Sequence, residues 1–203
     1  MSKSGLVSGI TFAITLIVSN LSHAQSLTVD SSNSMAVDCY DRSIEALSVK
    51  DARFADIQLC DTAINEGALS PNDLMATLVN RGVIYATLGQ LDRAAEDYNR
   101  ALAIADDVPE IHLNQGNLEF LAENWDQAIS HYNQAEALGL IQAHVLHLNR
   151  GMAYENSERF EEAQAEYRAA LELVPEWQPA LQRLQVLQGV EAGQLEQTPQ
   201  ELN

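Results

Sequence analysis

Basic residues are scarce in this sequence. Its 203 residues include 11 lysines and arginines against 29 aspartates and glutamates, so the formal net charge is −18 at pH 7. A chain with this charge is repelled by phosphate backbones and by anionic lipid surfaces. The few basic side chains form no stripe that would offset the repulsion. The composition therefore argues against a nucleic-acid partner.

Sequence signatures of catalysis are also lacking. The chain contains no nucleophile elbow, phosphate-binding glycine loop, zinc-protease motif or calcium-binding loop. Pairs of acids such as Asp106 and Asp107 are frequent in so acidic a chain, and we interpret them as solvated helix faces. The sequence predicts a protein that is not an enzyme and that carries no cofactor or metal.

Only one long apolar segment is present, at residues 5–21. A lysine precedes it, and Ser22 and Ala24 are small residues at the two positions that a signal peptidase reads. We predict a signal peptide over residues 1–24, cleaved between Ala24 and Gln25, and hence a periplasmic or secreted protein. An uncleaved membrane anchor is the alternative, although the segment is short for a span and is interrupted by serine and threonine. No other segment could span a bilayer, so no stable membrane insertion is expected after cleavage.

Cysteine occurs only twice, as Cys39 and Cys60. Both lie in segments with helical periodicity that are consecutive in the chain. In an oxidising compartment an isolated pair tends to form a disulfide, which we predict here. Two buried free thiols are the alternative. A zinc site would need more ligands than this pair supplies.

The middle of the chain repeats with a period of about 34 residues. The shared positions are Asn80, Gly82, Tyr85, Ala94, Tyr98 and Ala101 in the first segment, Asn114, Gly116, Ala128, Tyr132 and Ala135 in the second, and Asn149, Gly151, Tyr154, Ala163, Tyr167 and Ala170 in the third. In each segment the first alanine follows the glycine by 12 residues, and a tyrosine follows 4 residues later. The glycines are 34 and then 35 residues apart. Such a period indicates stacked supersecondary units.

This pattern resembles the tetratricopeptide repeat, and three copies in register make the resemblance specific. We place the repeats at 75–108, 109–142 and 144–177. The resemblance implies an all-α, right-handed α-solenoid of helix-turn-helix units, in which small glycine and alanine residues allow close helix approach and tyrosines fill the gaps. No unit can bury its apolar face alone, so stability comes from stacking.

The regions around the three repeats are assigned from composition and helical periodicity. We predict a polar leader at 25–34, a degenerate leading unit at 35–74, a capping helix at 176–188 and a disordered tail at 189–203. Ser70 precedes a proline and has an acid three residues later, which predicts a helix start at that point.

Two turns depart from the repeat pattern. Gly89 follows the first helix of the first repeat, whereas Glu123 and Glu158 occupy that position in the next two. Asn124 followed by Gln127 predicts a capping box at the second of these turns.

Ligands of tetratricopeptide-repeat proteins usually lie in a concave groove lined by the first helix of each unit. The candidate groove residues here are Val79, Asn80, Val83, Leu113, Asn114, Asn117, Phe120, Leu148, Asn149 and Met152. Asn80, Asn114 and Asn149 share one repeat position. An amide donates and accepts at once, so a ladder of them would hold an extended peptide backbone. The alternative is that the asparagines only tie one helix to the next, and that the apolar candidates pack against adjacent units or the leader.

Two other uses of this helix face are disfavoured. His144 and His147 are spaced i, i+3 as two metal ligands would be, but His112 and His147 occupy equivalent repeat positions, where the family places packing residues. Some members capture a C-terminal carboxylate with lysine and arginine in the groove. The matching positions here hold no base; they are Ala76, Val79, Glu110 and Val145.

We expect a non-catalytic interaction module, an adaptor or scaffold of the cell envelope, that binds a peptide or partner protein in the concave groove. The alternative is a self-associating structural protein without an external peptide ligand, and a homo-oligomer is compatible with either. Whether the groove is open or is filled by the chain's own leader or tail is left undecided by the sequence.

Overall fold

The structure is a computed structural model that describes residues 25–30, 33–49 and 52–196. The predicted signal peptide and the last residues of the predicted tail lie outside the described residues. Over the described residues the chain forms nine α-helices and no strand. They are α1 (Ser34–Val49), α2 (Phe54–Glu66), α3 (Pro71–Thr87), α4 (Leu91–Leu102), α5 (Pro109–Leu121), α6 (Trp125–Ala137), α7 (Ala143–Asn156), α8 (Phe160–Leu173) and α9 (Gln178–Glu196).

The helices pair into four hairpins that stack in chain order. Within the hairpins α1 packs on α2, α3 on α4, α5 on α6 and α7 on α8, and α9 packs on α8 at the end. The first helices α1, α3, α5 and α7 also contact one another in succession, which makes them the inner layer of the stack. The chain is therefore an all-α repeat solenoid, as predicted.

A glycine on each repeat's first helix lies directly against a tyrosine ring on its second helix. A Cβ atom added to the glycine would lie 2.4 to 2.5 Å from Cε1 of that ring, for Gly82 against Tyr98, Gly116 against Tyr132 and Gly151 against Tyr167. All three rings are almost completely buried. Each glycine therefore leaves the space that the tyrosine ring occupies, and this contact sets the separation of the two helices in each hairpin.

Arg81 joins its own hairpin to the preceding one. Its guanidinium donates to both carboxylate oxygens of Asp97 on α4, at 2.7 and 2.6 Å, and to Asp61 on α2 at 2.5 Å. Arg150, at the same repeat position, pairs with Glu166 on α8 and with Glu136 on α6. A planar guanidinium with several donors can bond carboxylates of two hairpins at once. These pairs therefore fix one hairpin relative to the next.

The turn between the two helices of each repeat uses a left-handed residue. Gly89 has φ +72°, and Glu123 and Glu158 adopt φ values of 62° and 61°. Left-handed backbone costs a non-glycine residue roughly 1–2 kcal/mol. The hairpin geometry thus imposes the same turn where the sequence offers no glycine.

The disulfide between Cys39 and Cys60 is present and links α1 to α2, as predicted. Both cysteines are fully buried in the core beneath the leading hairpin. Because the bond closes a segment with a sequence separation of 21 residues, the entropy that it removes from the unfolded chain is worth about 3 kcal/mol. The cross-link supports the unit whose sequence matches the repeat least well.

Helix ends follow the sequence in part. The Ser70 hydroxyl accepts a hydrogen bond from the backbone N–H of Asp73, which confirms the predicted start of α3. The capping box predicted at Asn124 is wrong, since its side chain makes no cap bond and instead donates to Glu119 at 2.8 Å.

The C-terminal helix is longer than the predicted capping helix. Disorder predicted from residue 189 is wrong as far as Glu196, because α9 continues to that residue. The helix formers between 190 and 196 outweigh the isolated glycines, and the next proline is Pro199. In the part of the chain that the structure describes, no helix is long and apolar enough to cross a membrane.

Gly116→Ala tests the glycine–tyrosine contact. The new methyl group would lie 2.5 Å from the buried Tyr132 ring, and overpacking of this kind costs about 1–3 kcal/mol or more. Alanine gains about 1 kcal/mol in helix propensity, so we expect a net loss of stability in urea unfolding followed by circular dichroism. Gly189→Ala is the matched control, since its Cβ would meet no atom within 4 Å. Equal stabilities of the two variants would show that the contact does not limit helix approach.

Candidate functional site

The candidate residues lie on the three successive inner helices α3, α5 and α7. All ten are buried, with exposures between 0% and 5%. Their apolar members belong mostly to the core: Val79 lies in one core cluster, and Leu113, Phe120, Leu148 and Met152 lie in another. The asparagines therefore provide the polar part of the inner face.

A segment of the chain's own leader runs along this face. The Asn80 side chain accepts from the N–H of Leu27 at 2.8 Å and donates to its carbonyl at 2.9 Å. The Asn114 side chain makes the same pair of bonds to Gln25, at 2.9 and 2.8 Å. Each amide thus satisfies both backbone groups of one residue. Asn80 and Asn114, which share one repeat position, thus hold two leader residues with a single residue between them.

Further contacts anchor the segment on both sides of these two asparagines. The hydroxyl oxygens of Ser26 and of buried Ser43 on α1 lie 2.6 Å apart and share a hydrogen bond. At one end, the Gln25 side chain donates to Gln142, just before α7, at 2.8 Å. The Leu27 side chain packs against the core cluster that contains Cys39. The leader therefore crosses the inner layer against the order of the repeats.

The other end of the segment reaches the start of α3. The backbone N–H of Asp30 donates to the Asp73 carboxylate at 2.8 Å. The Ser70 hydroxyl donates to the same carboxylate at 2.7 Å. The bond from Asp30 and the bond from Ser70 both lower the pKa of Asp73 below its usual value. The Asp73 carboxylate therefore bonds both the capping residue of α3, Ser70, and the leader.

Asn149 is used differently from its two equivalents. It donates to Asn117 Oδ1 at 2.8 Å, and that oxygen also accepts from the Tyr132 hydroxyl at 2.9 Å. Here the asparagine ties helix α7 to helix α5, as the alternative interpretation of the ladder proposed. Among the described residues, two members of the predicted ladder hold backbone and one joins helices.

The histidines make packing and hydrogen-bond contacts. His147 lies 2.8 Å from a carboxylate oxygen of Glu166, and His112 stacks on His131 with ring centroids 6.4 Å apart. Within the described ranges no group of three or more histidine, cysteine, aspartate or glutamate side chains is arranged to hold a metal ion.

Sequence reasoning identified the asparagines but not all of their surroundings. Ser26, Leu27, Ser43, Asp73 and Gln142 were not among the candidate residues, and each contacts or forms part of the docked segment. The sequence offered two signals, which were the repeated asparagine that suits an extended backbone and a polar leader long enough to reach it. Neither feature alone shows that they meet.

Stacked helix hairpins with an extended segment on the inner layer define a helical repeat protein of the solenoid class. Models of the tetratricopeptide repeat match residues 76–107 and 144–177. These two segments of the chain are therefore tetratricopeptide repeats.

Solved structures share this fold. The first TPR domain of the human RPAP3 protein is 24% identical, with a TM-score of 0.57, and the match covers 63% of this chain and 99% of that one. The first TPR of Spaghetti (RPAP3), bound to the HSP90 peptide SRMEEVD, is 25% identical, with a TM-score of 0.55 and coverages of 59% and 94%. MamA is 17% identical, with a TM-score of 0.59 and coverages of 74% and 84%.

Asn80→Ala tests how firmly the leader is held. Losing both bonds to Leu27 removes about 1–3 kcal/mol from the docked state, so hydrogen exchange at that amide should accelerate while exchange in the helices stays unchanged. Asn99→Ala is the control, because Asn99 is exposed on α4 and its side chain bonds only Gln115 among the described contacts. Unchanged exchange at Leu27 would mean that the ladder does not retain the leader.

Proposed function

We propose that this protein is a non-catalytic interaction module that holds an extended peptide segment of a partner protein on its inner face. The observation that carries the proposal is the pair of asparagine amides on Gln25 and Leu27, because these bonds use only backbone atoms of the held segment. Any extended segment with a free N–H at those two positions presents the same groups. The site is therefore chemically suited to an extended peptide.

The partner segment is bound along its length and not by a terminal carboxylate. Positions that carry bases in carboxylate-binding members hold Ala76, Val79, Glu110 and Val145, and the three apolar ones are buried. The Spaghetti structure, at 25% identity, was solved with a peptide bound, which supports peptide binding as the general use of the fold. Our proposal differs in the part of the peptide that is recognised.

We further propose that the protein acts in the cell envelope as an adaptor or scaffold, after export and cleavage between Ala24 and Gln25. The buried Cys39–Cys60 disulfide supports an oxidising compartment. Cleavage there would leave Gln25, whose nitrogen lies 2.9 Å from Asn114 Oδ1, as the first residue of the mature chain. The whole docked segment would then survive processing.

Export can be checked by mass spectrometry of the chain expressed in a bacterial host with a periplasm. We expect a mature species that begins at Gln25 in the periplasmic fraction or the medium. Ala24→Arg places a large charged residue where the peptidase needs a small one and should block processing. An unprocessed parent chain in the cytoplasm would contradict the proposed location.

Peptide binding can be tested by selecting extended peptides from a random library on the immobilised full chain. Selected peptides should bind the parent chain and Asn99→Ala equally in fluorescence polarisation. In chains that also carry Leu27→Pro, which removes the leader's own N–H to Asn80, adding Asn80→Ala/Asn114→Ala should weaken their binding at least about tenfold, because two hydrogen-bonded residues lose their partners. Circular dichroism must show unchanged helicity in each variant.

Two outcomes of the selection would contradict the proposal. One is binding that does not depend on the asparagines, and the other is a selection that yields no binder. Sedimentation of the same samples distinguishes the self-associating alternative. A concentration-dependent dimer, lost in Asn80→Ala/Asn114→Ala, would indicate that the occupant is the leader of a second copy.

A further inference from the structure

We infer that the segment Gln25 to Asp30 is a displaceable internal ligand, and that the partner is an extended, near-neutral peptide segment that takes over its two backbone positions. This inference rests on the proposed function, since it identifies what the groove holds before a partner arrives. It adds a competition between leader and partner for Asn80 and Asn114.

The leader is held in the way a peptide ligand would be held. The two ladder amides contact N–H and C=O of one residue each, at 2.8 to 2.9 Å, and the two held residues are one residue apart. Alternate residues of an extended chain point their backbone groups in the same direction. The two asparagines therefore recognise an extended backbone in which the two bonded residues are two positions apart. A second segment with that geometry would present the same two N–H and two C=O groups to them.

Side-chain contacts of the leader are few and define the partner's chemistry. Ser26 meets the buried hydroxyl of Ser43, and Leu27 is only partly buried against the core. Thr28 and Asp30 are exposed. The corresponding partner segment would carry a small polar residue followed by an apolar one, and proline is excluded at the two ladder positions because it lacks the N–H.

Charge restricts the partner further. Residues 25–29 carry no charged side chain, in a chain with 29 acids and 11 bases. An acidic peptide approaching this surface would be repelled, and Asp73 stands at one end of the docked segment. A neutral or mildly basic segment therefore matches the inner face better than an acidic one.

Covalent attachment gives the leader its advantage. A short tether holds a segment at an effective concentration on the order of millimolar. A free peptide with the same intrinsic affinity must compete with that local supply, so its apparent affinity falls by the fraction of molecules with an empty groove. Loosening the leader should therefore strengthen binding of a partner without any new contact.

The test uses the full chain and a fluorescent, end-blocked peptide with the sequence of residues 25–30, Gln-Ser-Leu-Thr-Val-Asp. Leu27→Pro in the chain removes the N–H that donates to Asn80 and should release the leader. Thr28→Pro is the matched control, because this residue makes no hydrogen bond in the described contacts and proline after residue 27 favours its extended form. Leu27→Ala separates the side chain from the N–H.

We expect Leu27→Pro to bind the probe at least about tenfold more tightly than the parent, with Thr28→Pro equal to the parent. Leu27→Ala, which keeps the N–H, should lie between them. Adding Asn80→Ala to Leu27→Pro should abolish the gain. A probe with proline in place of its own leucine should not bind any variant. Circular dichroism controls for folding.

The outcomes separate this inference from the proposed function. Equal, asparagine-dependent binding by the parent and Leu27→Pro would overturn the internal competitor and leave the peptide groove standing. Absence of binding even to Leu27→Pro would overturn the inference, whereas the library selection would still decide the proposed function. A dimer of the parent chain that Leu27→Pro abolishes would show that the leader docks on a second copy, and it would overturn an internal ligand.

Discussion

The contact between a glycine and a tyrosine ring within each repeat hairpin is the constraint on which the rest of the structure depends. It occurs three times with nearly the same geometry, and it leaves no room for a side chain on the first helix. The residues just before the glycine are placed by it. Asn80 and Arg81 precede Gly82, and successive helical residues point about 100° apart. Asn80 therefore faces the inner layer, and Arg81 reaches the preceding hairpin. Moving the glycine by one residue along the helix would displace both side chains.

Much of the fold followed from the repeat because its signal is local and recurs. Helix pairing and the close approach of the two helices depend on residues within 16 positions of each other, such as Gly82 and Tyr98, and the stack of hairpins was predictable because the unit repeats. The disulfide between Cys39 and Cys60 was likewise predictable from two cysteines on consecutive helices. Helix α9 was underestimated because its end depends on the absence of a strong breaker and on no repeated position.

The inner face was harder to predict because identical residues at one repeat position have different partners. Asn114 holds the leader, whereas Asn149 bonds Asn117. The equivalents of Asn117 in the other repeats are Val83 and Met152, which offer no amide. The role of Asn149 is thus decided by an amide on the preceding hairpin, 32 residues earlier in the chain, whereas Val83 stands at the corresponding position before Asn114. The leader adds a contact across 89 residues of sequence between Gln25 and Asn114, which no local pattern encodes.

The equivalence of Asn80 and Asn114 makes the inner face a measure of length. The two successive hairpins that carry Asn80 and Asn114 hold leader residues two apart, which corresponds to about 6.6 Å of strand at a rise of 3.3 Å per residue. One more hairpin would engage a segment two residues longer only if its asparagine at this position, unlike Asn149, had no amide acceptor on the preceding hairpin. Variation in the number of such hairpins would then change the length of leader that the inner face holds.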